Sequence, residues 1–182
     1  MNDRFYDPEK HHRRSIRLKG YDYSQSGAYF LTICTHNREP MFGEIVHRKM
    51  ELSIYGRIVS ARWRNLPRYH AYVDLSAFVA MSNHIHGIMV IRFDPTGSAK
   101  HRPISEIVRG FKTFSSRRIN EVRGTPGIPV WQRNYWEHVI RDQDSFNRIY
   151  DYIITNPSRW HLDRENLHRR GEDDFDRWLE SL

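Results

Sequence analysis

A single cysteine, Cys34, stands in the 182 residues, so no internal disulfide and no cysteine-built zinc site can form. Lysine is almost as scarce: five of the 29 basic residues are lysine and the other 24 are arginine. The longest unbroken apolar runs are about five residues, where a membrane-spanning helix needs about 20. The opening stretch, MNDRFYDPEKHHRRS, has no apolar core of the kind a secretory signal requires. Internal repeats and low-complexity stretches are missing too. These absences lead us to expect a soluble cytoplasmic protein with no membrane partner. Its 38% hydrophobic residues are thin but sufficient for one single-domain core.

What the chain does have is unevenly placed charge. The net is +7, but residues 161–182 carry four basic and seven acidic residues, leaving 25 basic and 15 acidic for residues 1–160. The body is therefore +10 and the end −3. Arginine's planar fork grips phosphate with two hydrogen bonds and stacks on bases, so an arginine-rich basic body with 13% aromatics points to nucleic acid. A solvated basic surface is the plainer explanation. We divide the chain into a basic arm at 1–20, a folded domain at 21–160 and an acidic tail at 161–182, with Phe175, Trp178 and Leu179 as possible anchors for the tail.

Pattern and breakers give the elements. Residues 29–35 are β-branched and aromatic, a strand. Apolar spacing predicts a helix over 52–66, closed by Pro67. Residues 73–81 and 84–92 read as two strands of a hairpin around Ser82-Asn83. A long amphipathic helix is predicted over 103–123, a strand over 130–141 and a last helix over 145–155, stopped by Asn156-Pro157. The order β-α-β-β-α-β-α predicts an α+β, ferredoxin-like split βαβ fold: a four-stranded antiparallel sheet with helices on one face, plus a C-terminal helix.

Two constellations carry chemistry. On a strand, side chains two apart share a face, so His84 and His86 project together and can share a divalent cation. Two surface histidines among eleven would look the same. Tyr152 and Asn156 lie four apart on the last helix and share its face. Tyr152 falls on the flank of the Phe146–Ile149–Ile153 stripe, roughly 110° from its centre. It could be a nucleophile aimed into a cleft with Asn156 offering a ligand oxygen, or a core-edge tyrosine followed by a helix-ending asparagine.

Four stretches together resemble the REP-associated tyrosine transposases, a branch of the single-tyrosine HUH transposases: Arg13-Arg14-Ser15-Ile16-Arg17-Leu18-Lys19-Gly20-Tyr21-Asp22-Tyr23, Met81-Ser82-Asn83-His84-Ile85-His86-Gly87, Trp131-Gln132-Arg133-Asn134-Tyr135-Trp136-Glu137-His138-Val139-Ile140-Arg141 and Tyr152-Ile153-Ile154-Thr155-Asn156-Pro157. Ser82 departs from the proline that often precedes the Asn-His pair in that family. The resemblance implies an HUH endonuclease fold, a Mg²⁺ or Mn²⁺ ion held by His84, His86 and Asn156, and Tyr152 as nucleophile. It implies cleavage and rejoining of single-stranded or hairpin DNA at repeats through a 5′-phosphotyrosine, by a monomer or homodimer. Arg13, Arg14 and Arg17 of the arm and Arg109, Lys112 and Arg117 of the long helix are the expected DNA contacts. The competing readings are a non-catalytic single-strand-binding module of the same fold and a domesticated repeat-binding protein.

Overall fold

The computed structural model describes residues 22–94, 96 and 101–182. The basic arm, with Arg13, Arg14 and Arg17, lies outside them. Strand β1 (Gly27–Cys34) is followed by an unanticipated hairpin, β2 (Gly43–Val46) and β3 (Lys49–Leu52). Its turn is made by His47 and Arg48, both at positive φ. Turns of that shape usually advertise themselves with Asn or Gly, and neither is present. Leu52 therefore ends a strand, and helix α1 (Ile54–Arg64) starts two residues later than its spacing predicts. Ser53 caps it, accepting from the Tyr55 and Gly56 amides. Pro67 ends α1 but also opens a short helix, α2 (Leu66–Tyr69).

Strands β4 (Val73–Ala80) and β5 (His84–Ile91) form the expected hairpin, and α3 (Ile104–Arg123) ends on Gly124 at φ 65°. The last strand, β6 (Trp136–Ile140), is shorter than predicted. Residues 130–132 still bond to the end of β1, through a Thr35–Trp131 bridge and the Gln132 amide on the Cys34 carbonyl, and the Trp131 ring is buried, donating to Ser115 Oγ at 2.9 Å. Helix α4 (Gln143–Thr155) is capped by Asp142 and runs into a 3₁₀ turn, Asn156–Arg159. A further helix, α5 (Asp174–Glu180), lies in the acidic end.

The main sheet has the order β4-β5-β1-β6 with every neighbour antiparallel, which is the ferredoxin-like arrangement. Its period-two pattern feeds two cores. Tyr29, Leu31, Ile33, Ile85 and Met89 pack with Trp63, Ile107 and Phe111 of α1 and α3. Phe30 and Ile88 pack on the other side with Ile149, Tyr152 and Ile153 of α4 and Phe175 and Leu179 of α5. Gly87 is required by the first core, since a Cβ there would meet Trp63 Cζ2 at 2.4 Å. Among the described residues, no helix is long and apolar enough to cross a membrane.

Candidate active site

His84 and His86 stand on β5 opposite Cys34 and Thr32 of the central strand β1. Both imidazoles point to the α4 side of the sheet and are buried. Each is oriented through Nδ1. His86 Nδ1 pairs with Thr32 Oγ1 at 2.9 Å, and His84 Nδ1 with Asn83 Oδ1 at 2.8 Å. Asn83 gives its Nδ2 to the Glu165 carbonyl, so its oxygen must face His84. An amide oxygen only accepts, which puts the His84 proton on Nδ1 and leaves Nε2 as a lone pair. Burial pushes the His84 imidazole down to about 3 against the pull of Asp163, so this ring is a neutral ligand at any ordinary pH.

Helix α4 brings the second constellation to the same point. The Tyr152 hydroxyl is 3.4 Å from His86 Nε2 and donates to Asp163 Oδ2 at 3.1 Å. Asn156 Nδ2 donates to the same carboxylate oxygen at 2.6 Å. Tyr152 is only 3% exposed, less than its place on the flank of the apolar stripe predicts. The reason is α5: the Phe175 ring lies parallel on the tyrosine ring, centroids 3.7 Å apart. Burial, reinforced by the Asp163 charge, raises the phenol well above its usual range. Tyr150, the other candidate phenol, is 40% exposed.

Asp163 is the residue that sequence reasoning missed. It lies seven positions after Asn156, outside every motif. The turns after Pro157 fold the chain back, with Leu162 and Asp163 amides bonded to the Arg159 and Trp160 carbonyls. That return sets Asp163 Oδ2 3.8 Å from His84 Nε2 and 3.6 Å from His86 Nε2. Its only advance signal is that it is the first acidic residue after the Tyr152–Asn156 pair. Burial opposes its charge, but His84, His86 and the Asn156 amide outweigh it and hold the carboxyl below its usual range.

The donor set fits a small divalent cation. His84, His86 and Asp163 each offer one ligand atom, all within 4.8 Å of one another. Ligands at about 2.1 Å from one ion lie about 3–4 Å apart. Two buried atoms here, His84 Nε2 and Asn156 Oδ1, have no hydrogen-bond partner among the described residues, a costly condition unless a cation takes their lone pairs. Beside this point is a cavity of roughly 90 Å³ lined by Phe30, Thr32, His86, Trp136, Tyr152 and Phe175 among others.

The expected DNA contacts on α3 divide. Arg109 and Arg117 are exposed. Lys112 is half-buried and its ammonium is already spent on the Gln132 and Arg133 carbonyls at 2.6 and 3.0 Å. It ties the loop before β6 to α3 and is poorly placed to meet a phosphate.

No family model matches the chain. It is 40% identical over 177 residues to an uncharacterized protein of Haemophilus influenzae, covering 87% of this chain and 96% of that protein. It is 24% identical over 142 residues to a protein of the same bacterium provisionally named a REP-associated tyrosine transposase, covering 75% and 73% of the two chains. Among solved structures it resembles a REP-associated tyrosine transposase bound to a REP hairpin, with TM-score 0.57, 19% identity, and coverage of 79% of this chain and 73% of that one.

Proposed function

We propose that this chain, which is similar in sequence to one REP-associated tyrosine transposase and in fold to another, is a metal-dependent single-strand DNA endonuclease and strand transferase acting on hairpin-forming repeats. One observation carries the reading. The phenol of Tyr152, the imidazoles of His84 and His86 and the amide of Asn156 come from two distant segments and converge on one buried point. A binding module with no chemistry to perform has no need of that convergence.

His84, His86 and Asn156 would hold the ion, Mg²⁺ or Mn²⁺, and imidazole ligands favour Mn²⁺. Bound there, a divalent ion supplies Lewis acidity to the scissile phosphate and orients it. Tyr152 attacks phosphorus: the Oη–P bond forms, the P–O3′ bond breaks, the phenol gives up its proton and the leaving 3′ oxygen takes one. The products are a 5′-phosphotyrosine and a free 3′-hydroxyl. Attack by another 3′-hydroxyl reverses the step and rejoins the strand with no external energy source. The +10 charge of residues 1–160, with Arg109 and Arg117 exposed on α3, supplies attraction to the DNA backbone.

A repeat-binding protein that does not cut is the second reading, favoured by the burial of Tyr152 beneath Phe175. One experiment separates the two. A REP-type hairpin oligonucleotide with single-stranded flanks, labelled at either end, is incubated with Mn²⁺ and run on a denaturing gel. The transferase gives a covalent adduct with the 5′-phosphate side, abolished in Tyr152→Phe and stopped by EDTA. Cleavage that survives EDTA rejects the metal mechanism, and retarded but uncut DNA under native conditions favours the second reading.

A further inference from the structure

Strand β6 is an outer strand of the main sheet, paired with β1 on one side only. Its register sets Trp136 opposite Thr32 and His138 opposite Phe30, and Thr32 in turn stands opposite His86. Residues directly opposite one another share a face, so Trp136 and His138 project on the side that carries the histidines. Neighbouring strands lie about 4.8 Å apart, which puts the Trp136 backbone about 10 Å from that of His86. The indole is held by the Phe30 ring, which meets it edge-on at 5.4 Å, and it forms part of the wall of the cavity beside Tyr152. The Trp136 and His138 rings are parallel within 5°, centroids 6.0 Å apart, and both are only half-buried. Neither the indole N–H nor the His138 ring nitrogens have a hydrogen-bond partner among the described residues. Burial, with Arg141 nearby, holds the His138 imidazole below its usual range, so the ring is uncharged at neutral pH. Arg133 and Arg141 bracket the pair, both exposed and without a carboxylate partner among the described residues. Asp142, next to Arg141, is committed to capping α4.

We propose that Trp136 and His138 form a base-stacking subsite, in which one unpaired nucleotide flanking the scissile phosphate lies on the two rings and Arg133 and Arg141 take phosphates on either side. The inference rests on the single-strand reading above and names the edge along which that strand runs. A base inside a duplex has both faces covered by its neighbours, whereas an unpaired base has a face to give to an aromatic ring. The free indole N–H and the neutral imidazole add a donor and an acceptor at the rim, able to read the edge of that base. A second copy of this chain is the poorer occupant, because it would bring another +10 body to an edge already flanked by unpaired arginines.

The test is binding, in EDTA so that no strand is cut. The probe is a REP-type hairpin oligonucleotide with single-stranded flanks, whose flank nucleotides are made abasic one at a time. In the wild type, one abasic position should weaken binding by about tenfold. In Trp136→Ala, the intact oligonucleotide should bind about tenfold more weakly and that one position should cost nothing further, while abasic sites elsewhere cost what they cost the wild type. A ring that only props up the fold would move every position alike. Trp136→Phe should restore most of the affinity, and Arg133→Ala and Arg141→Ala should each flatten the log–log salt dependence by about 0.7. A hairpin without flanks should bind the wild type and Trp136→Ala equally. Should Trp136→Ala fold poorly, 5-iodouracil at the sensitive position, irradiated in the wild-type complex, must crosslink to a peptide carrying Trp136 or His138. No sensitive flank position in the wild type, equal abasic costs in wild type and Trp136→Ala, or a crosslink only to other residues overturns the subsite and leaves the endonuclease reading standing. If the wild type binds neither the flanked hairpin nor a single strand, both fall.

Discussion

Asp176, on α5, gives the most quantitative check on how the acidic end is held. Its side chain is buried, and neither carboxylate oxygen has a hydrogen-bond partner among the described residues. Arg164 and Arg169 approach to 3.9 and 3.8 Å, while Asp163 and Asp173 add like charge. Burial dominates, and the carboxyl is pushed up to about 6 from an ordinary 3.8. A raised folded value means that the folded state holds this proton more tightly than the unfolded chain. Stability from this group is therefore complete below about pH 4, declines as pH rises to about 6 and is absent above. A shift of about 2 units at 1.36 kcal/mol each amounts to about 3 kcal/mol. Asparagine has nearly the same shape and cannot ionise. Asp176→Asn should match the wild type near pH 4 and exceed it by up to about 3 kcal/mol at pH 7.5. Urea unfolding followed by circular dichroism at pH 4, 5, 6 and 7.5 measures the divergence, and amide exchange over Asp174–Glu180 shows whether it is confined to α5. A variant that is less stable than the wild type at pH 7.5 yet equal at pH 4 would mean that the two arginines outweigh burial, and the electrostatic argument would fail.

Other outcomes follow from single contacts. Tyr150→Phe should keep most covalent adduct on the hairpin gel while Tyr152→Phe loses all of it, because only Tyr152 reaches the histidines; the opposite pattern would reassign the nucleophile. Gly87→Ala drives a Cβ into Trp63 and should cost about 1–3 kcal/mol, read as a lower Tm with β5 otherwise intact. An unchanged Tm would show that Trp63 can yield. Ser53→Ala removes the acceptor of two α1 amides and should cost about 1 kcal/mol in the same assay. Hairpin affinity should fall linearly in log–log with salt, with Arg109→Ala and Arg117→Ala each flattening the slope by nearly one phosphate and Lys112→Ala leaving it unchanged; a flattened slope in Lys112→Ala would restore that residue as a DNA contact.

Local periodicity was enough to put His84 with His86 and Tyr152 with Asn156, because a strand repeats every two residues and a helix every 3.6. It also located the four strands of the main sheet and, through their order, the ferredoxin-like topology. The β2–β3 hairpin escaped because His47 and Arg48 adopt positive φ with no glycine or asparagine to announce it. Spacing could not say that both pairs meet. That depends on β5 lying beside β1 and on α4 packing across the face that carries the histidines, contacts between residues 50 or more positions apart. Nor could it place Asp163 or bury Tyr152. Both follow from the acidic end, where the spacing of Phe175, Trp178 and Leu179 marks anchors without saying which surface they cover; the segment returns over the site because Phe175 and Leu179 find an apolar surface there. Local patterns record what one element does with its own faces; which face another element covers is decided by the burial that the whole chain achieves at once.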